Sequence, residues 1–266
     1  MLATLTSKED KNKKGFKLKK RKKILILLLV IILGFLVIFA TNPNLMPEPL
    51  KTETIDFLTD FNVFLANQDS NISIIKLGSN SKGYVTLEGP YGNQSSQVTV
   101  AYIIGQHPRE SEAHNALEEY ISKHSNSLNY KYYIYKIHVT QNPMDFNEGR
   151  MNGQLLAQDF VVNDVVNKHY HLVVDIHSSN AFYYPEPYLF TPGGGGSSFT
   201  YANEIANKNS DWLDYYEPPE YTSPKYSTQP IKDNGTPAIV FEAHGEPGLS
   251  VLDQIVKFVE TIDNLK

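Results

Sequence analysis

The sequence predicts an α/β domain, a mixed and mainly parallel sheet flanked by helices, preceded by one N-terminal transmembrane helix. Three observations predict it. From Val98 onward, apolar runs of strand length alternate with segments of helical period. Two further strand signals precede that alternation, joined by a Ser/Asn/Lys turn that suits a hairpin. Residues 24–40 are seventeen apolar or small residues directly behind a basic cluster.

Taken in order, residues 1–23 form a basic tail, with ten basic and two acidic residues between Lys8 and Lys23. The apolar segment 24–40, as a helix, spans roughly 25 Å, the short end of what a bilayer core needs. Positive charge stays on the cytoplasmic side, so the N-terminus is expected in the cytoplasm and the rest outside it: a single-pass membrane protein. A cleaved signal peptide fits less well, because cutting after Ala40 places bulky Ile38 where a small residue is preferred. Residues 41–53 carry three prolines and no apolar period, and read as an extended stalk. The folded domain then runs over 54–266, opening on a helix that aligns Ile55, Leu58, Phe61 and Leu65 behind Thr54 as cap.

Within that domain strands are expected at 72–78, 83–89, 98–105, 132–140, 171–178 and 238–244. Helices are expected at 110–124, around 154–168, around 198–208 and at 248–265. Between Ser179 and Pro237 lie "GGGG" at 193–196, several prolines and many tyrosines, a composition that reads as a long binding loop. Sequons at Asn71, Asn93 and Asn234 permit surface glycosylation.

Charge and cysteine count exclude several functions. Beyond the anchor there are 14 basic and 27 acidic residues, a net charge of −13, which nothing could turn toward nucleic acid. With no cysteine, the chain has no disulfide, no thiolate chemistry and no sulfur-ligated metal. Any metal must be held by histidine and carboxylate.

Ligands of α/β sheets bind at the carboxyl ends of strands. Those ends present His107, Arg109 and Glu110, then Asn142, Asp145, Asn147 and Arg150, then His177, then Glu242 and His244. Arg109 and Arg150 are the only arginines beyond the anchor. A catalytic zinc takes three protein ligands and keeps a position for water, and His107, Glu110 and His177 supply such a set. The three-residue spacing lets one strand-to-helix turn aim His107 and Glu110 at one ion, with Pro108 stiffening the turn. Asp175, two residues before His177 on the same strand face, is placed to orient its imidazole. Glu242 follows the apolar run "AIVF", where an ionised carboxylate is costly unless paired or used, and it is the candidate general base. The bland reading pairs it with an arginine. His244 is held in reserve. His138 and His171 read as structural, and His114, His124 and His169 as helix-surface or loop residues.

The ordered set "HPRE" (107–110), "DIHSS" (175–179) and "VFEAHGE" (240–246) resembles the zinc carboxypeptidase superfamily, which includes the metallocarboxypeptidases and the succinylglutamate desuccinylase and aspartoacylase branch. The resemblance covers most of Val98 to Glu246. It implies one zinc ion on His107, Glu110 and His177, Glu242 as general acid and base, and Arg109 as polariser of the substrate carbonyl or as a substrate contact. Segment 141–154 resembles the family's Asn-Arg stretch that grips a substrate carboxylate, with Asn147 and Arg150 standing where some members have adjacent residues. Tyr221 or Tyr226 is expected to cover the substrate as a family tyrosine does. The expected function is a membrane-anchored, extracytoplasmic zinc hydrolase cleaving an amide bond, a carboxypeptidase-like enzyme on peptides or cell-envelope peptides. The compact 70-residue interval from His107 to His177 points instead to a deacylase of N-acyl amino acids. A third reading, from another class, is a non-catalytic peptide- or glycan-binding module on the same fold.

Overall fold

A computed structural model describes residues 72–179, 184–245 and 248–265. The basic tail, the 24–40 anchor, the stalk and the helix expected around Ile55–Leu65 lie outside the described residues. Among the described residues no helix is long and apolar enough to cross a membrane.

The strands are β1 (Ser73–Asn80), β2 (Gly83–Gly92), β3 (Thr99–Ile104), β4 (Lys131–Val139), β5 (Leu172–Ser179), β6 (Tyr188–Phe190), β7 (Asp214–Tyr215) and β8 (Ala238–His244). They form one sheet in the order β1-β2-β4-β3-β5-β8-β6-β7. The centre, β4-β3-β5-β8, is parallel, and β1 and β2 add an antiparallel hairpin on one side. On the other side β6 runs antiparallel to β8, so the sheet is mixed and mainly parallel at its core, as expected.

Among the described residues the α-helices longer than one turn are α1 (Ser111–His124), α2 (Phe146–Leu156), α3 (Gly196–Lys208), α4 (Thr228–Asp233) and α5 (Val251–Asp263). Period-two alternation sends the central strands' side chains to two faces. Val100, Tyr102, Ile104, Val174, Ile176, Ile239 and Phe241 pack with Leu117 and Ile121 of α1, Ile205 of α3 and Phe258 and Ile262 of α5. Ala101, Ile103, Ile137, Val173 and Ala238 pack on the other face with Leu156, Val161 and Val165, and with Ile231 of α4. Each fully buried Leu, Ile or Phe here contributes roughly 1.5–3 kcal/mol. His114, expected on a helix surface, is instead buried in α1, where its Nε2–H donates to the Ile176 carbonyl at 3.0 Å. Burial first of all pushes its pKa down to about 4, so it ties α1 to β5 as a neutral imidazole.

Two features depart from the expected elements. First, α2 starts at Phe146 rather than near residue 154, and beyond Leu156 it widens into a π turn, Ala157–Val162. Asp145 caps it, its carboxylate accepting from the backbone N–H of Asn147 at 2.9 Å and of Glu148 at 2.8 Å. Second, besides the helix expected around 198–208, which is α3, the region expected as a long loop carries β6, β7, a 3-10 turn (Ser223–Tyr226) and α4.

Topology locates the crevice. The connection leaving β3 turns toward β4, while the one leaving β5 turns the other way toward β8. Since β3 and β5 are neighbours, their carboxyl ends open the gap where ligands of open α/β sheets bind.

Candidate metal centre and its cleft

At the end of β3, Gly105 turns the chain at φ +84°, a conformation that favours glycine, and a Cβ there would lie 2.2 Å from the Ile137 carbonyl oxygen. His107 is extended, and Pro108–Glu110 then makes one 3-10 turn closed by Glu110 N–H on the His107 carbonyl at 3.0 Å. That single turn brings the two side chains together, with His107 Nδ1 2.9 Å from Glu110 Oε1. From β5, His177 places its own Nδ1 2.9 Å from Glu110 Oε2, and the Ser178 N–H donates to the same oxygen at 3.2 Å. Arg150 of α2 donates to Glu110 Oε1 at 2.7 Å.

Ligand atoms of His107, Glu110 and His177 all lie within 4.8 Å of one another. Both imidazoles are buried and turn Nδ1 toward the same carboxylate. Behind His177, Asp175 Oδ1 stands 3.2 Å from Nε2 without hydrogen-bond alignment, and Asp175 Oδ2 accepts from the Ser227 hydroxyl at 2.7 Å. Two nitrogens and a carboxylate converging in a buried pocket, one nitrogen backed by a second carboxylate, fit a divalent first-row ion, zinc among them.

The electrostatics are strongly coupled. Burial, reinforced by the charge of His177, pushes His107 down to about 4. Burial also acts to lower His177, but the carboxylates of Asp175 and then Glu110 overcome it and hold the group above its ordinary value. Glu110 shows the mirror case: burial would raise it, and the two histidines hold it well below the usual carboxylate range.

Glu242 lies on β8 directly beside His177 of β5, with Tyr188 of β6 opposite on its other flank. Burial lifts its pKa to about 8, against the downward pull of His177 and Arg150. Its carboxylate lines a cleft of about 1540 Å³. One wall is His107, Arg109, Glu110, Phe146 and Arg150, and the other is Tyr188, Phe190, Tyr216 and Tyr221 with Pro218, Pro219 and Pro224. Arg109 and Arg150 both stand over the half-exposed Phe146 ring, their guanidinium carbons 5.6 and 5.2 Å from its centroid.

The fold therefore brings together His107, Arg109, Glu110, Arg150, Asp175, His177, Glu242 and Tyr221. Tyr221 packs on Phe190 at 5.5 Å and donates to Glu217 Oε1 at 3.3 Å. Two expected substrate contacts do not reach the cleft wall. Asn147 is exposed on the first turn of α2, where its backbone serves the cap, and Tyr226 ends the 3-10 turn and is not among the residues that line the cleft. His244 is buried near the end of β8, its backbone N–H donating to Gln254 Oε1 at 2.8 Å, away from the lining residues. Sequence reasoning missed Phe146, Tyr188, Ser227 and Gln154, the last lying 3.2 Å from His107 Nε2. A signal for Phe146 and Gln154 was present: "DFNE" at 145–148 has the spacing of a helix start, and a helix begun there carries Phe146 in its first turn and puts Gln154 on the face of Arg150.

No family model matches the sequence, and no curated protein does either. Solved structures do resemble it. A metallo-carboxypeptidase from Pseudomonas aeruginosa, in complex with (2-guanidinoethylmercapto)succinic acid, is 12% identical and superposes at TM-score 0.50 over 76% of this chain and 66% of that one. A metallo-carboxypeptidase from Burkholderia cenocepacia is 14% identical, at TM-score 0.47 over 77% of this chain and 68% of that one. The tripeptide-bound cell shape determinant Csd4 of Helicobacter pylori is 10% identical, at TM-score 0.46 over 73% of this chain and 54% of that one. This chain thus spans about two thirds of the length of the two carboxypeptidases. With its central parallel strands, its order of elements and its crevice beside β3 and β5, the chain has the fold of the metallo-carboxypeptidases.

Proposed function

We propose that this protein is a zinc-dependent hydrolase that cleaves an amide bond of a peptide in the manner of a carboxypeptidase. The observation that carries the reading is the convergence of His107 Nδ1 and His177 Nδ1 on the two oxygens of Glu110, with Glu242 beside His177 on the cleft floor. A zinc ion held by these three residues would supply Lewis acidity toward a carbonyl and a water, and its charge, with that of Arg150, would draw Glu242 toward its ionised form against the effect of burial. Glu242 then takes a proton from the attacking water as the carbon–oxygen bond forms, and gives it to the amine nitrogen as the carbon–nitrogen bond breaks. Arg109, on the cleft wall, offers its guanidinium to the oxygen on which negative charge develops.

The cleft favours peptides over small acyl amino acids. It is open and large, and its far wall is built of aromatic and proline side chains suited to an extended chain. The sequence supports an extracytoplasmic setting through the basic tail and the apolar 24–40 segment, so peptides of the cell envelope are within its reach.

Glu242→Gln is the direct test. It should keep bound zinc while turnover falls about 10²- to 10⁴-fold, as expected for loss of a general base. Parallel assays on free peptides and on N-acyl amino acids decide the substrate class. Undiminished turnover removes Glu242 from its role, and activity confined to N-acyl amino acids replaces the peptidase with the deacylase.

A further inference from the structure

The two histidines of the metal centre are backed differently, and the difference falls on Gln154. A neutral imidazole carries one proton. If Nδ1 is to donate its lone pair to an ion, that proton is on Nε2, and a buried N–H needs an acceptor. His177 has Asp175 Oδ1 at 3.2 Å from its Nε2. His107, buried at 2% exposure, has the side-chain amide of Gln154 at 3.2 Å from its Nε2. That amide is itself buried at 2% exposure, its nitrogen faces the ring, and its oxygen has no hydrogen-bond partner among the described residues.

An N–H donor facing Nε2 would hold the proton on Nδ1, the wrong tautomer for an Nδ1 ligand. A half-turn of the amide about its Cγ–Cδ bond exchanges the two ends. The oxygen then accepts from Nε2–H, and Nδ1 is left with its lone pair. We infer that Gln154 is a positioning residue that sets the tautomer and ring orientation of His107, so that Nδ1 faces the ion. The inference rests on the proposed zinc site and concerns a residue that touches neither substrate nor reacting atoms.

The fold supplies the means. Gln154 is one helical turn beyond Arg150 on α2, so one face of one helix reaches both His107 and Glu110. The helix is pressed close at that point, for a Cβ on Gly153 would lie 2.0 Å from the Gln106 carbonyl oxygen. An amide is also weaker support than a carboxylate, which raises the basicity of the imidazole it holds. The centre therefore pairs a histidine that faces a carboxylate, His177, with one that faces an amide, His107.

Zinc affinity of the full chain, measured by competition with a chromogenic chelator, tests this without reference to turnover. Gln154→Leu should bind about 10- to 100-fold more weakly than wild type, the usual cost of losing such a partner. Gln154→Glu, which keeps the shape and supplies an acceptor at both ends, should bind at least as tightly as wild type. Equal affinity in all three proteins overturns the inference alone, as does an equal loss in both variants, which would mark a packing effect. Should Gln154→Leu fail to fold, nitrogen-15 spectra of zinc-loaded wild type decide: a proton on His107 Nε2 is expected, and one on Nδ1 overturns it. A wild-type chain that binds no zinc overturns the proposed function and this inference with it.

Discussion

Glu88 and Glu242 are both carboxylates set into strands, and their surroundings differ. Glu242 faces the cleft beside His177. Glu88 of β2 is buried away from the cleft, its oxygens accepting from the Thr86 hydroxyl at 3.4 Å and the Tyr91 hydroxyl at 3.3 Å. Burial raises the pKa of Glu88, with Lys136 pulling the other way. Since the folded pKa is the higher one, the favourable protonated state is kept below the unfolded value near 4.5 and lost as pH rises through the folded value. Glu88→Gln should therefore raise stability more at pH 7 than at pH 4, read as the shift of the urea midpoint. A variant less stable than wild type at pH 7 would show that ionised Glu88 is a net stabiliser. At this scale the sequence was legible where chemistry is concentrated in few residue types: His107, Glu110, His177 and Glu242 could be read from strand ends. Gln154 could not, because an amide gains meaning only from the ring nitrogen it meets.

Helix α2 carries the largest departure among the elements, and glycine explains it. Gly149 and Gly153 lower helix propensity across 146–156, which moved the expected start toward residue 154. Both glycines are there for close approach: a Cβ on Gly149 would lie 2.8 Å from the Pro143 carbonyl oxygen, and Gly153 meets Gln106. Gly153→Ala should cost about 1–3 kcal/mol, the range for overpacking a filled site. It should weaken zinc binding as well, because the helix that is pushed back carries Arg150 and Gln154. Denaturant unfolding and chelator competition check the two effects, and an alanine variant as stable as wild type would mean that the turn at Gln106 yields freely. The missed strands β6 and β7 have three and two residues, too short for a period to show. Their existence depends on the edge that β8 offers, which is tertiary information.

For the whole molecule, the alternation of strand and helix sufficed to predict the parallel centre and to place the crevice, since right-handed crossovers leave few arrangements. The acidic composition beyond residue 40 and the apolar segment before it concern where the protein works rather than how it folds. Removing residues 1–40 should release the chain from the membrane fraction with its zinc retained, as seen by fractionation and metal analysis. A full-length chain recovered in the soluble fraction would end the anchor reading.

The excursion between β5 and β8 contains a seam. Ser223 and Ser227 are tied to the back of the ion site, the Ser223 carbonyl accepting from Gln106 Nε2 at 3.3 Å and the Ser227 hydroxyl donating to Asp175. Pro218–Thr222, immediately before them, line the cleft, and among them Tyr221 also packs on Phe190 while the Thr222 carbonyl closes the 3-10 turn. Under the proposed function, substitutions at Pro218, Pro219 and Glu220 should change which substrates the cleft accepts, while Ser223 and Ser227 keep Gln106 and Asp175 in place behind the candidate metal ligands.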